Sequence, residues 1–237
     1  MIEQRKQKIR AYSKAMIRRL IDADMKFEML RPLISDRSTT ERWDNTIGAN
    51  GFELMRRTLY YDLIRELAAI SLDRAPKAPS IENILQKFQS AELLEVIRTE
   101  YCSPLPISWV GHIDEDSRKF WEAKHKEREI AEGSVRFDKN FKKVNSTFKE
   151  LKRSELFKKI KLARNKIVAH YEMINDGGDI RPFDPTDIGL KWGDAEDYYH
   201  QIQPIITELV LLTSNEAYAL DSNNAQHKQI AIDFWAR

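Results

Sequence analysis

This sequence predicts an all-α bundle of about five to six helices, two of them long, with a short helical segment inserted. Apolar side chains recur at steps of three and four along much of the 237-residue chain, the spacing that lines one face of a helix. Glycine and proline number only 8 each, few for a turn-rich β-sandwich. Hydrophobic residues at 42% and charged residues at 32% suit an ordered, soluble chain. At this length one hydrophobic core suffices, so residues 1–237 read as a single domain. Its core helices fall at about 1–75 and 118–220, with an embellishment at about 76–117 and a short C-terminal helix at 221–237.

The first helix carries Ile9, Tyr12, Met16, Leu20, Ala23, Phe27 and Leu30 on one face, and Pro32 should close it. Ser38-Thr-Thr-Glu41 has the pattern of a capping box, in which a hydroxyl and a carboxylate satisfy free backbone N–H groups at a helix start. A long second helix should follow, its core face reading Phe52, Met55, Leu59, Leu63, Leu67 and Ile70. Gly48 and Gly51 near its beginning mark either a break or a close backbone approach. After the prolines of RAPKAPS, Ser80 is placed to cap a shorter helix running to about Tyr101. A loop is expected over 103–117.

From Arg118 to Arg153 the chain should be helical with an interruption around Gly133-Ser134, and Phe120, Trp121, Phe137, Phe141, Val144 and Phe148 form its apolar stripe. Ser154 then caps a helix reading SELFKKIKLARNKIVAHYEMI. A turn-rich connection at 175–194 leads to a last major helix with Tyr198, Ile202, Ile205, Leu209 and Leu212 on one face. A shorter piece ends at Phe234 and Trp235.

Several chemistries are excluded or disfavoured. The chain has no GxxxxGK[ST] loop, no GxGxxG turn after a strand and no GxSxG elbow. Cys102 stands alone, so neither a disulfide framework nor a thiolate zinc set can form, a usage that fits a reducing cytosol. The histidines, His112, His125, His170, His200 and His227, show no zinc-ligand spacing. Asp176, Asp179, Asp184 and Asp187 could hold a hard cation, although aspartates in turns more often serve the turn itself. No metal or cofactor is therefore expected. The N-terminal stretch MIEQRKQKIRAYSK lacks the apolar run of a signal peptide, and no segment reaches the roughly 18 apolar residues that cross a bilayer. A cytoplasmic protein without a membrane partner is the expectation.

A net charge of +2 rules out a polycation, so contact with nucleic acid has to be local. One stretch qualifies. Between 152 and 166 stand Lys152, Arg153, Lys158, Lys159, Lys161, Arg164 and Lys166 against Glu155 alone, a surface that would hold phosphates without regard to base sequence. The plainer alternative is a solvated cationic helix face.

The stretch ends in ARNKIVAHYE, residues 163–172. Arginine forks onto a phosphate and neutralises developing charge, histidine moves a proton near neutral pH, and asparagine orients either partner. Arg164, Asn165 and His170 thus supply the parts for cleaving RNA without a metal, by turning a ribose 2′-OH on its own phosphodiester. In a regular α-helix, however, six residues rotate the side chain to about 120° away with roughly 9 Å of rise. Either the helix is locally irregular at the motif, or two chains bring their motifs together across a symmetric interface, the more economical solution.

RNKIVAH fits the Rx4-6H pattern with five intervening residues, and the chain resembles the HEPN superfamily (higher eukaryotes and prokaryotes nucleotide-binding domains). The fuller ARNKIVAHYE is similar to the AbiU-type branch of abortive-infection, or phage-defence, proteins. The context agrees with this likeness: two long N-terminal helices, the motif in the last third, a loop ending in LKWGDAED and a closing amphipathic helix. The resemblance implies a HEPN-like bundle and a metal-independent endoribonuclease of a defence or toxin–antitoxin system, working as a homodimer with facing motifs. Arg164 would polarise the scissile phosphate, His170 would transfer a proton or orient the 2′-OH, and Asn165 would support both. Lys158, Lys159, Lys161 and Lys166 would bind RNA, with Tyr171 as a supporting group. Many relatives pair with an antitoxin protein, and some carry a modified tyrosine two places past the histidine. Here Tyr171 follows His170 directly and Glu172 holds that second place. Other HEPN proteins act without cleavage, as nucleotide- or RNA-binding or protein-interaction modules, and this is the alternative function.

Overall fold

The computed structural model describes residues 1–104, 114–169 and 173–236. Among these it has nine α-helices rather than five or six, with one two-stranded sheet. The first helix, α1 (Ile2–Ser35), is the hub: it packs against α2 (Arg37–Glu41), α3 (Ala49–Leu72), α4 (Ile81–Lys87) and α5 (Ala91–Tyr101). Its stripe from Ile9 to Leu30 is buried, with Tyr12 half-buried, because each step of three or four returns the side chain to one face. Pro32 does not end this helix, which runs on to Ser35. A proline loses its own N–H and crowds the carbonyl one turn before it, but its own carbonyl still accepts from Asp36 N–H, so three further residues continue beyond it before Asp36 turns the chain.

The extra helices come from caps that divide longer stretches. Asp36, rather than Ser38, caps α2: its carboxylate accepts from the Ser38 N–H at 3.0 Å and from the Ser38 and Thr39 hydroxyls. A turn region then separates α2 from α3, where Gly48 is the N-cap. Here the glycine marks a close approach, since a Cβ on Gly48 would lie 2.6 Å from the Trp43 ring. Ser80 does cap α4, its Oγ accepting from Asn83 N–H at 3.2 Å, but the helix stops at Lys87 and α5 restarts after Ser90.

The long helix α6 (Glu115–Arg153) is unbroken through Gly133 and Ser134. Gly133 serves packing: a Cβ there would come within 3.2 Å of the Cys102 backbone, so the glycine lets the end of α5 lie against α6. Phe137, Val144 and Phe148 are buried as their spacing requires, whereas Phe120 and Trp121 are 53% and 55% exposed. The stripe therefore belongs to the core only from Gly133 onward.

After α7 (Glu155–Ala163), the chain forms a hairpin of β1 (Met173–Asp176) and β2 (Asp179–Pro182), then a 3-10 turn at Pro185–Ile188. The helix α8 (Asp194–Ser214) buries Tyr198, Ile202, Ile205, Leu209 and Leu212 against α1 and α6. The last helix, α9 (Leu220–Trp235), lies along α1, fastened by His227 Nδ1 to Asp24 Oδ2 at 2.7 Å and by Trp235 Nε1–H to the Met29 carbonyl at 3.0 Å. Among the described residues no helix is long and apolar enough to cross a membrane.

Candidate functional site

The site is built on α7. Ser154 starts this helix by accepting from Phe157 N–H at 3.1 Å, as its sequence position predicts. Phe157, Ile160 and Ala163 then fall on one buried face and press the helix onto α3, α6 and α8. That packing fixes which way the next residues point. The helix does not carry the motif inside it, as the long amphipathic run predicts, but ends at Ala163, and Arg164–Ala169 is wound as a π-helix. Bonds from i to i+5 widen the turn, a rare winding that recurs at functional sites. The local irregularity allowed by the helix geometry is thus present on the arginine side of the motif. His170, Tyr171 and Glu172 lie outside the described residues.

Arg164 and Asn165 are joined directly. The half-buried guanidinium donates from Nη1 to Asn165 Oδ1 at 3.1 Å, which restricts its swing and uses one of its five N–H groups.

The lysines divide by role. Lys159 is half-buried and donates to the Gly189 carbonyl at 2.7 Å, while its ammonium lies 3.8 Å from the Asp194 carboxylate, so it clamps the connection after β2 to the motif helix. Lys166 rests over the Phe183 ring at 5.4 Å, a second tie to the same connection. Lys158 and Lys161 are exposed, the former paired with Glu155.

Helical winding gives way to the hairpin because of its turn. Gly177 and Gly178 adopt φ of 62° and 103°, the left-handed conformation that a two-residue hairpin loop demands. Asn175 Oδ1 accepts from the Gly178 N–H at 2.9 Å, and the register sets Met173 opposite Pro182 and Ile174 opposite Arg181. The Asn-Asp-Gly-Gly string was the available signal for this hairpin, overshadowed by the helical pattern before it. From β2, Arg181 forks onto Asp187 at 3.0 and 2.6 Å, and Asp187 also accepts from Asp184 N–H at 2.8 Å. This arginine and the backbone bond hold the Asp187 carboxyl below its ordinary range. Asp184 accepts from Thr186 through Oδ1. These two aspartates organise a turn, and among the described residues no three His, Cys, Asp or Glu side chains gather as a metal set.

A family model for the HEPN domain of AbiU2 matches residues 6–234. The chain belongs to the HEPN AbiU2 family. This places it in the AbiU-type, abortive-infection branch of the HEPN superfamily. No curated protein and no solved structure gives a match.

This AbiU2-family chain also has a cleft of about 400 Å³ between α3 and the connection after β2. Tyr60 sits at its centre, buried, its hydroxyl donating to the Lys191 carbonyl at 2.7 Å and its ring edge-on to Trp192 at 4.6 Å. Burial drives the Tyr60 hydroxyl far above its ordinary pKa, so it remains a donor at any physiological pH. Tyr61 and Trp192 are half-buried neighbours of Tyr60, and Arg57 lies at the Tyr61 ring at 5.9 Å. None of these residues stands out in the sequence, where Tyr60 and Tyr61 fall inside an ordinary helical stretch. The pairing of LYYD with LKWGD across more than a hundred residues becomes visible only in the fold.

Proposed function

We propose that this AbiU2-family chain is a metal-independent endoribonuclease whose site is the Arg164-Asn165…His170 motif, completed by a second copy of the chain. The observation that carries this reading is the Asn165-held guanidinium of Arg164 at the head of a π-wound turn. In the reaction the 2′-oxygen attacks the adjacent phosphorus, and its proton passes to one imidazole of His170. Arg164 neutralises the charge that builds on the phosphoryl oxygens. The bond to the 5′-oxygen breaks, and this leaving group takes a proton from the imidazolium of the other copy. The products are a 2′,3′-cyclic phosphate and a 5′-hydroxyl, and the two histidines have exchanged protonation states.

Apolar side chains around the motif support the pairing of two copies. Leu162, Met173 and Ile180 are exposed, and so are Leu54 and Met55 on α3, a helix that contacts the π segment. A two-fold interface would cover such residues with their own counterparts. The exposed Lys158 and Lys161 would hold flanking phosphates, and a cognate antitoxin protein would act by covering this face.

The test is incubation of the purified chain with RNA in EDTA. Cleavage leaving 2′,3′-cyclic phosphate ends is expected, falling by about 100-fold or more in Arg164→Ala and in His170→Ala. Variants as active as the parent would remove these residues from the mechanism. An uncleaved RNA that still binds in an Arg164-dependent manner would instead support a non-catalytic RNA-binding module.

A further inference from the structure

The cleft between α3 and the 183–192 connection is not part of the cleavage motif, yet it is mechanically joined to it. Lys159 holds the connection at Gly189 and Lys166 holds it at Phe183, both from the motif helix and its π extension. On the other side, Tyr60 holds the same connection at Lys191. One wall of the cleft, the 183–192 connection, is therefore tied both to the motif helix and to α3.

Its chemistry is not that of a phosphate site. Arg57 and Lys191 are balanced by Glu53 and Asp184 among the lining residues, so the cleft offers no net field to a polyanion. It offers instead two half-buried aromatic side chains, Tyr61 and Trp192, held at set angles to the central Tyr60. Aromatic area flanked by a few polar groups, in a volume of about 400 Å³, suits a flat heteroaromatic ring.

Polar groups in the cleft narrow the choice of ring. Glu53 is engaged by Arg56. Asp184 uses Oδ1 for Thr186, whereas its Oδ2 has no hydrogen-bond partner among the described residues. A carboxylate oxygen can only accept, so against the exocyclic edge of a base it favours the amino group of guanine, adenine or cytosine over the carbonyl that uracil presents there. Arg57, exposed at the rim, is placed for the phosphate attached to that base.

We infer that this cleft is a nucleobase subsite, in which Tyr61 and Trp192 stack an amino-bearing base of RNA and Asp184 reads its amino group. As a determinant of where RNA is cut, the assignment rests on the ribonuclease reading; as a base-binding cleft, it rests on its own geometry.

The experiment measures binding of 5′-GMP, AMP, CMP and UMP to the full-length chain by saturation-transfer NMR and calorimetry. The three amino-bearing nucleotides should bind about tenfold more tightly than UMP, the discrimination expected of one hydrogen bond to a charged acceptor. Tyr61→Leu should abolish binding and Tyr61→Phe should retain it. Asp184→Asn keeps an oxygen for Thr186 but replaces the free acceptor with a donor, so the preference should turn toward UMP. A purely structural role for Asp184 would weaken all four nucleotides alike. Equal affinity for UMP and GMP, no binding at millimolar nucleotide, or undiminished binding in Tyr61→Leu would overturn the assignment. If the expected pattern holds while the parent chain cleaves no RNA, the ribonuclease reading fails and the subsite stands.

Discussion

Glu28 on α1 is buried close to Asp24 and Glu196, with Arg31 donating to it at 3.0 Å. Loss of water around the carboxylate is the largest influence and lifts its pKa above the ordinary 4.5, with Arg31 only partly opposing it. The folded chain therefore binds this proton more tightly than the unfolded one. The group favours folding fully below pH 4.5, and that contribution disappears as pH rises through the raised value. Glu28→Gln removes the buried charge but keeps an acceptor for Arg31. Its melting temperature at pH 7 should exceed the parent's by about 1–3 °C, the response of a chain this size to a fraction of a kcal/mol. Below pH 4.5 the difference should vanish; a lower melting point at pH 7 would show that the charge is stabilising after all.

Among the elements, α6 carries the clearest consequence of a single residue. Gly133 sits in mid-helix, where alanine would gain about 1 kcal/mol in helix propensity, yet the Cys102 backbone occupies the adjoining space. A larger side chain has to push α5 away. Gly133→Leu should cost about 1–3 kcal/mol in urea denaturation, the usual penalty for overpacking. A variant as stable as the parent would mean that α5 shifts freely. Reading the sequence alone, this glycine suggests a break, because propensity is local while close approach depends on a neighbour thirty residues away. The same limit explains Pro32 and the split of the 81–101 stretch. By contrast, the stripes of α1 and α8 are legible because both helices bury one face along most of their length. At the site, Arg164 and Asn165 are legible as a pair, since adjacency in sequence is adjacency in space. The cleft of Tyr60, Tyr61 and Trp192 is not, because its walls come from elements far apart in the chain.

For the whole molecule, the proposed pairing of copies makes a prediction about mass. The chain weighs 27.8 kDa, so light scattering should report about twice that at micromolar concentration. Ile180 and Leu54 are 67% and 68% exposed, so an aspartate at either place should leave the monomer's fold intact. Ile180→Asp with Leu54→Asp should yield a monomer with unchanged helical circular dichroism and no RNA cleavage. A parent chain that is monomeric and still cleaves would break the link between assembly and activity. The α1 hub makes such a test practicable, since the core it organises lies among α3, α8 and α9 and does not depend on the exposed residues.

The π winding at Arg164–Ala169 bears on how such a motif can vary. Each i to i+5 turn accommodates one residue more than an α turn over the same stretch of axis. An insertion between arginine and histidine can then be absorbed as a bulge, without rotating α7 before it or shifting the hairpin after it. Deleting one residue from this segment is the reverse change, and the winding has a ready α-helical form to fall back on. The variable spacing of the Rx4-6H pattern thus has a mechanical counterpart: length changes are taken up locally, while the flanking elements keep their phase.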